Sequence, residues 1–192
     1  SSDLPSNTIQ PEEDTDVEVP IEVIDRTSWN ATLTTSSNTE FLQENVKLLF
    51  DGDANTYIDQ YTITGYPISL KVDLGEEKKV SSFSYLKRPG YEDAAYGING
   101  TMGKYKLYVS DDGVNWKEAG EGEFKREDYN LHQEGKLQNV GDVVYGNFNE
   151  EYTTRYIRID QLSDSLGNTQ EFSASEINLY SDKYIEEEST VD

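Results

Sequence analysis

The chain has 192 residues and no Cys, so it suits one domain with a sizeable core and excludes disulfides, a thiol nucleophile and zinc-thiolate sites. Its formal net charge of −22 disfavours nucleic acid and acidic membrane surfaces as partners, because both are themselves anionic. Hydrophobic residues make up only 34% of the chain, but 14 Tyr and 6 Phe add large apolar side chains, which favours a folded, aromatic-rich β protein.

The two ends differ in composition from the rest of the chain. Residues 1–20 are rich in Ser, Pro and acidic side chains, and residues 184–192 are again acidic, so we expect a flexible linker and a flexible tail around one domain at 21–183. A spacer of this kind fits an exported protein or a surface lipoprotein. No apolar run approaches the length of a membrane span, so we expect no direct membrane insertion.

Apolar and polar residues alternate along most of the domain, which is typical of half-buried strands. Trp29, Ala31 and Leu33 alternate with polar residues, and Ile68 begins a second such run that Gly75 ends. The segment between these runs spaces its apolar residues like one face of a short helix. The predicted elements are a strand at 29–34, a short helix at 40–50, and strands at 68–74, 80–86, 104–110, 114–119, 143–148, 155–159 and 176–180.

The connections between these strands also bear on the fold. Asp112-Gly113 predicts a hairpin turn, and residues 90–103 contain four glycines and predict a long loop, of the length that is usually functional or mobile. Short strands, frequent turns and no long helix together predict an all-β fold, an antiparallel β-sandwich.

Residues 50–57, with the sequence FDGDANTY, are dense in short side chains that have oxygen atoms. Asp51 and Asp53 can turn toward one point if Gly52 adopts a positive φ, and Thr56 can add its hydroxyl. Such a set suits a hard cation. An acidic turn capped by its own Asp and Asn side chains explains the same residues without a metal, and this stretch alone does not decide between the two interpretations.

Seven segments between Trp29 and Tyr180 resemble, in order, those of the coagulation-factor 5/8 C-type, or discoidin, domain, and within that family the bacterial family 32 carbohydrate-binding modules. The segments are LLFDGDANTY, ISLKVDLG, SYLKRPG, the NG pair at 99–100, KYKLYVSDDGVNW, TRYIRI and SASEINLY. The resemblance implies a jelly-roll sandwich of the galactose-binding-domain type. It also implies a secreted or cell-surface bacterial protein, either lipoprotein-anchored or part of a larger surface protein.

The resemblance implies a structural Ca²⁺ ion that ties the acidic stretch near residue 50 to the start of the last long strand. An ion in this place would close a loop of large chain separation. Carried over from the family, its ligands are the side chains of Asp51, Asp53, Thr56 and Glu176 and the backbone oxygens of Leu48 and Ser175.

The resemblance also implies a sugar site on the loops at one end of the sandwich. Arg88 matches the Arg that many family 32 modules use on their ligand, Asn99 matches the partner amide, and Phe172 falls where a stacking aromatic often lies. Simpler alternatives remain open, because Arg88 can pair with surface acids and Phe172 can belong to the core.

The chain departs from the family pattern at the binding face. Ile58 and Asp59 stand where the family commonly has a Trp and a His, so we expect Asp59 or Gln60 to replace the His as a hydrogen-bond acceptor. Tyr91 and Tyr96, on the long loop, are then candidates for a substitute aromatic platform, although they can also serve only to pack that loop.

Enzymatic chemistry has little support in the sequence. His132 is the only histidine, no nucleophile elbow accompanies it, and a tight hairpin explains the paired acids Asp111-Asp112. We therefore expect a monomeric, non-catalytic carbohydrate-binding module for galactose-type or other host or dietary glycans. The alternative is a protein-interaction or adhesion domain of the same fold without sugar binding.

Overall fold

The computed structural model of the protein describes residues 17–89, 99–129, 143–168 and 170–186. Within these ranges the secondary structure is almost entirely antiparallel β-strand. The strands are β1 (Val17–Glu18), β2 (Asn30–Thr34), β3 (Ile58–Tyr61), β4 (Ile68–Leu86), β5 (Lys104–Ser110), β6 (Lys117–Glu123), β7 (Val143–Gln161), β8 (Glu171–Ala174), β9 (Glu176–Tyr180) and β10 (Ile185–Glu186), and the helices are α1 (Gln43–Val46) and 3-10 turns at Lys47–Phe50 and Arg126–Asp128. The predicted all-β antiparallel fold is confirmed.

One six-stranded sheet forms most of the fold. Its strand order is β2-β4-β7-β5-β6, and β9 pairs with the second half of β4. Strands β4 and β7 each run for 19 residues and pair with each other along most of that length. Register shifts interrupt their pairing after Asp73 and again after Val80, as β-bulges do.

The two long strands correct the sequence prediction, which divides each of them in two. The break predicted after Gly75 is a stretch of exposed polar residues, 75–79, where the apolar alternation stops but the strand continues. A similar polar stretch at 149–153 separates the two segments predicted within β7. Register shifts interrupt the pairing of β4 with β7 in these stretches, but pairing resumes within them, with Lys78 opposite Thr154 and Val80 opposite Tyr152. It can resume there because backbone pairing does not depend on which side chains face the core.

Strand β6 begins later than the predicted strand at 114–119. The Asp112 carboxylate accepts hydrogen bonds from the backbone amides of Val114 and Asn115, both at 2.8 Å, and so extends the turn after β5. The strand then starts at Lys117.

The hydrophobic core lies between the large sheet and the shorter elements that cover it. In β4, alternate residues are buried up to Leu74, whereas every residue from Val80 to Leu86 is buried. The second half of this strand is therefore covered on both faces. No helix in the described ranges is long and apolar enough to cross a membrane.

Two small two-stranded sheets complete the architecture. Strands β1 and β10 pair near the two ends of the described chain, so regular pairing extends a few residues beyond the predicted limits at 21 and 183. Strands β3 and β8, which the sequence does not predict, pair only with each other among the described strands and form a separate two-stranded ribbon. This β3–β8 ribbon positions the candidate site.

Candidate functional site

The register of the β3–β8 ribbon decides which side chains share a face. Asp59 pairs with Ser173, and Tyr61 pairs with Glu171. Directly paired residues point to the same side of an antiparallel ribbon, as do residues two apart on one strand. Asp59, Tyr61 and Glu171 therefore lie on one face, with Asp59 and Glu171 as diagonal neighbours.

The carboxyl groups of Asp59 and Glu171 are in hydrogen-bonding contact. This contact, together with partial burial, raises the pKa of Glu171 to about 7, although Arg88 nearby acts in the opposite direction. The pair therefore holds a proton for part of the time at neutral pH.

Arg88 contacts the Asp59 carboxylate of this pair. It is only 6% exposed, and its Nε lies 3.6 Å from Asp59 Oδ2, which is close enough for an ion pair but too far for a hydrogen bond. No group in the described parts of the chain accepts a hydrogen bond from this Nε.

Next to the acidic pair is an open cavity of about 470 Å³. Its lining is mostly polar and combines one aromatic ring with amide side chains. The lining residues are Tyr61, Asn99, Gly167, Asn168, Gln170 and Glu171. Tyr61 is 64% exposed, and its hydroxyl donates a hydrogen bond to Gln170 Oε1 at 3.0 Å.

Buried Asp164 joins the two loops that form the cavity. Its Oδ2 accepts from the Gly100 amide at 3.1 Å, and its Oδ1 accepts from the amides of Leu166 at 2.9 Å and Asn168 at 2.7 Å. The Asn99 carbonyl accepts from the Ser173 hydroxyl at 2.6 Å, which ties the same turn to the ribbon. The cavity therefore has a hydrogen-bonded frame.

Gly100 is required at this turn for two reasons. Its φ is +81°, and a Cβ there would approach the Ser173 backbone nitrogen to 2.9 Å. The close approach explains why an Asn-Gly pair lies beside the ribbon.

A second cluster forms where the acidic stretch meets the start of β9. Glu176 is 7% exposed, its Oε2 accepts from the Gly52 amide at 2.8 Å, and its Oε1 accepts from Arg26 Nη1 at 2.7 Å. Burial raises the pKa of Glu176 to about 7, and the contacting Asp51 carboxyl adds to the increase against the effect of Arg26. The sequence prediction that these distant segments meet is therefore correct.

Asp51 behaves differently from its partner. Partial burial acts against its charged form, but hydrogen bonds from the Thr56 hydroxyl at 2.5 Å and the Asp53 amide at 2.9 Å outweigh that effect. The pKa of Asp51 is therefore lowered. Gly52 reaches the required geometry with a φ of +79°.

Comparison with known families identifies the chain. The model of the F5/8 type C domain matches residues 26–177, which span both the ribbon and the acidic cluster. The chain belongs to the F5/8 type C domain family. No curated protein matches it significantly over its sequence.

Solved structures of similar fold include bacterial family 32 modules. The structure of the family 32 module of NanJ from Clostridium perfringens, in complex with galactose, shares 23% identity, covers 83% of this chain and 98% of its own, and has a TM-score of 0.58. CpGH89CBM32-5 from the same organism, in complex with GalNAc-β-1,3-galactose, shares 23% identity, covers 82% of this chain and 99% of its own, and has a TM-score of 0.57. CBM32-3 from a family 31 glycoside hydrolase of Clostridium perfringens shares 21% identity, covers 82% of this chain and 94% of its own, and has a TM-score of 0.61. At these identities the likeness establishes the fold.

The donor atoms of the acidic cluster are of the kind that Ca²⁺ binds. They are all oxygens, from the carboxylates of Asp51 and Glu176, the hydroxyl of Thr56 and the carbonyl of Asp53, whose oxygen lies 3.1 Å from that hydroxyl. Two touching carboxyl groups, one with a raised pKa, also form a place where a cation would replace a proton. Ser175 Oγ, fully buried beside Glu176, has no hydrogen-bond partner within the described ranges.

The other predicted ligands of this domain differ in their placement. The carboxylate of Asp53 does not join those of Asp51 and Glu176, because its Oδ1 accepts a hydrogen bond from the Asn55 amide at 2.9 Å. In the described part of the chain, no three His, Asp or Glu side chains are grouped so as to hold a metal. Leu48 lies in the 3-10 turn that leads into the cluster, and Ser175 directly precedes β9.

The structure brings together three of the predicted sugar-site residues of this F5/8 type C domain. Arg88 and Asp59 form an ion pair, and Asn99 lines the cavity next to Glu171. Gln60 pairs with Phe172 and so lies on the opposite face of the ribbon from Asp59. Tyr91 and Tyr96 lie outside the described residues, as does His132.

Phe172 requires a correction. It is 2% exposed and packs edge-to-face on Phe41 with the ring centroids 5.8 Å apart, so it belongs to the core and presents no ring to a ligand. The exposed aromatic residue beside the cavity is instead Tyr61. Tyr61, Asn168, Gln170 and Glu171 are not predicted from the sequence, because the short strands and turns that hold them carry no recognisable pattern.

Proposed function

We propose that this domain is a non-catalytic carbohydrate-binding module that holds a glycan at the β3–β8 ribbon. The main support is the arrangement around the cavity, where the exposed ring of Tyr61 lies beside three amide side chains and a charged group. Pyranose recognition combines an aromatic face for the C–H side of the ring with polar groups for its hydroxyls. Galactose-type or other host or dietary glycans are the proposed ligand class.

The polar groups around Tyr61 match the donors and acceptors of a sugar. Asn99, Asn168 and Gln170 provide amides, and Glu171 provides carboxyl oxygens, at the edge of a cavity large enough for one or two sugar rings. The Asp164 frame holds the loops in place before a ligand arrives, which lowers the entropic cost of binding.

The acidic pair at the ribbon also argues for binding without hydrolysis. Glycosidases place their two carboxyl groups roughly 5 to 9.5 Å apart, on opposite sides of the scissile bond. The carboxyl groups of Asp59 and Glu171 are in hydrogen-bonding contact instead, which leaves no room between them for a glycosidic oxygen.

We further propose that Ca²⁺ binds at the acidic cluster and has a structural role. Asp51, Glu176, Thr56 and the Asp53 carbonyl would hold it, and backbone oxygens of Leu48 and Ser175 are candidates to complete its shell. When bound, the ion would supply charge that lets both Asp51 and Glu176 remain ionised. The cluster joins the end of the helical segment to β9, so the ion would stabilise the domain rather than contact the sugar.

This function implies a place outside the cell, where such glycans occur. We propose a secreted or cell-surface location and a monomeric domain that belongs to a larger surface protein.

The experiment that tests the proposed function is a glycan array followed by calorimetric titration of its hits, with the intact 192-residue chain in Ca²⁺. Tyr61→Ala should weaken binding of the best hit at least about fivefold without changing the melting temperature, since stacking of one ring on an aromatic side chain is worth roughly 1–3 kcal/mol in the well-measured case of nucleic-acid bases. Tyr156→Ala, which removes a ring on another face, is the matched control. Equal affinity of Tyr61→Ala and the intact chain would exclude this site.

One observation favours the alternative of a protein-binding domain. Ile63 is 82% exposed two residues after Tyr61, and adjacent exposed apolar side chains are typical of protein contacts. Under this alternative, broad plant and animal glycan sets give no hit at millimolar sugar concentration, and Ile63→Ser impairs binding to a protein partner as strongly as Tyr61→Ala.

A further inference from the structure

The Asp59–Glu171 pair is unfavourable for the ribbon itself. Like charges on neighbouring positions of paired strands destabilise the pairing, and these two carboxyl groups are diagonal neighbours in contact. The guanidinium of Arg88 forms an ion pair with Asp59, and its positive charge also acts on Glu171. When both acids are ionised, Asp59, Glu171 and Arg88 together have a net charge of −1, which one more positive charge would neutralise.

Arg88 gives a second and independent indication of a ligand. Its side chain is 8% exposed, and its Nε, which faces Asp59, has no hydrogen-bond acceptor in the described residues. A buried guanidinium nitrogen without an acceptor is costly. A ligand oxygen that reaches past Asp59 would satisfy it.

One kind of chemical group can supply both a positive charge for the acidic pair and a hydrogen-bond acceptor for Arg88. An ammonium group has three donor hydrogens and can bridge two carboxylates, and a hydroxyl on the adjacent carbon can accept a hydrogen bond from a guanidinium. A sugar with a free amino group next to a hydroxyl has both. Its ring would also have an apolar face for Tyr61, which pairs directly with Glu171.

We propose that this site is selective for hexosamines with a free amino group, whose ammonium bridges Asp59 and Glu171 while an adjacent hydroxyl oxygen accepts from Arg88. The inference rests on the proposed function and adds the charge class of the ligand. Cationic sugars bind with the highest affinity, neutral sugars with lower affinity, and sugars with a carboxylate with the lowest. The ammonium replaces the proton that the acidic pair otherwise holds.

The titratable groups that face the pair are consistent with this order. Asp164, behind Glu171, adds negative charge, and Arg88 is the positive side chain whose charge acts on Glu171. An N-acetyl group on the sugar removes the cation and enlarges the substituent. An N-acetylated sugar should therefore lose the advantage of its free amine.

The test is an NMR titration of the intact chain with galactose, galactosamine, N-acetylgalactosamine and galacturonic acid, and with their glucose-configured counterparts. Buffer at pH 7.0 contains Ca²⁺ and about 150 mM salt, which screens attraction to the overall negative charge. In the ring configuration that binds, we expect the free amine to bind about tenfold more tightly than the neutral sugar and the uronic acid to bind about tenfold more weakly.

Three variants separate the site from the general charge of the protein. Glu171→Gln and Asp59→Asn should reduce the preference for the amine to about twofold or less, measured in each variant as the ratio of its dissociation constants for the neutral sugar and the amine. Glu121→Gln, an exposed acid on β6 with the same change in net charge, should keep the full preference.

Two results would overturn the inference alone. One is neutral sugar binding that equals or exceeds amine binding in the intact chain, and the other is a tenfold preference that survives both Glu171→Gln and Asp59→Asn. If no neutral or amino sugar of either configuration binds, the proposed function fails together with the inference.

Discussion

Glu176→Ala tests the link between the acidic stretch and β9. The substitution removes a nearly buried carboxylate whose oxygens accept hydrogen bonds from Gly52 at 2.8 Å and Arg26 at 2.7 Å. Each hydrogen bond to a charged group contributes about 1.5–3 kcal/mol, and relief of the contact with Asp51 returns part of this. Arg26 keeps its bonds to the carbonyls of Leu49 and Ile177, so its charge is not left without partners.

The net cost without calcium is therefore about 2–3 kcal/mol, which for a domain of this size lowers the melting temperature by about 4–12 °C. With calcium at about 100 times its dissociation constant, the intact chain gains a further stabilisation of about 2.7 kcal/mol, and the variant does not. Thermal unfolding followed by circular dichroism, with and without Ca²⁺, measures both effects.

The matched control is Glu76→Ala, which removes an exposed acid that pairs with Lys78 at 3.0 Å. Exposed ion pairs contribute about 0–1 kcal/mol, so this variant should melt within about 3 °C of the intact chain and keep its response to calcium. Our account of the cluster is refuted if Glu176→Ala melts like the control.

Three further predictions concern stability. Chelation should lower the melting temperature of the intact chain reversibly, by about 5–10 °C, and Asp51→Asn should remove most of this response in a calcium titration. Since the folded-state pKa of Glu171 is about 7, above its unfolded value, its contribution to stability is complete below about pH 4.5 and is lost as pH rises through 7. With calcium held in excess, the free energy of unfolding of the intact chain should therefore fall between pH 5 and 8 by about 1–2 kcal/mol more than that of Glu171→Gln, a value reduced for solvent screening. Denaturant unfolding measures both proteins, and an equal fall in the two would contradict this prediction. Phe172→Ala should cost about 3–5 kcal/mol in urea unfolding because Phe172 is a core residue, whereas a ring at a ligand face would cost less than 1 kcal/mol.

Alternation in the sequence predicts the strands that have one buried and one exposed face. Strand β2 has this pattern, and both it and β9 occur where the sequence predicts them. Alternation predicts two strands in place of β4 because the middle of β4 is polar on both faces, although backbone pairing with β7 resumes at Lys78. Pairing between distant strands is a property of the whole sheet, and no local window of sequence contains it.

The site shows the same limit. The family pattern leads to Arg88 and Asn99, and the loss of the usual His leads to Asp59, and the structure places all three around the β3–β8 ribbon. The ribbon strands β3 and β8 are four residues each, too short for a period to be recognised. Without their register, nothing in the sequence indicates that Tyr61 faces outward and Phe172 inward.

The central claim is that a sugar binds on the Tyr61 face of the β3–β8 ribbon. The most direct measurement is NMR chemical-shift mapping of the intact chain with the best glycan hit. Our account predicts the largest shifts at Tyr61, Asn99, Asn168 and Glu171, and only small shifts around Trp116 on the large sheet. Shifts concentrated at Trp116, with the ribbon unchanged, would contradict it.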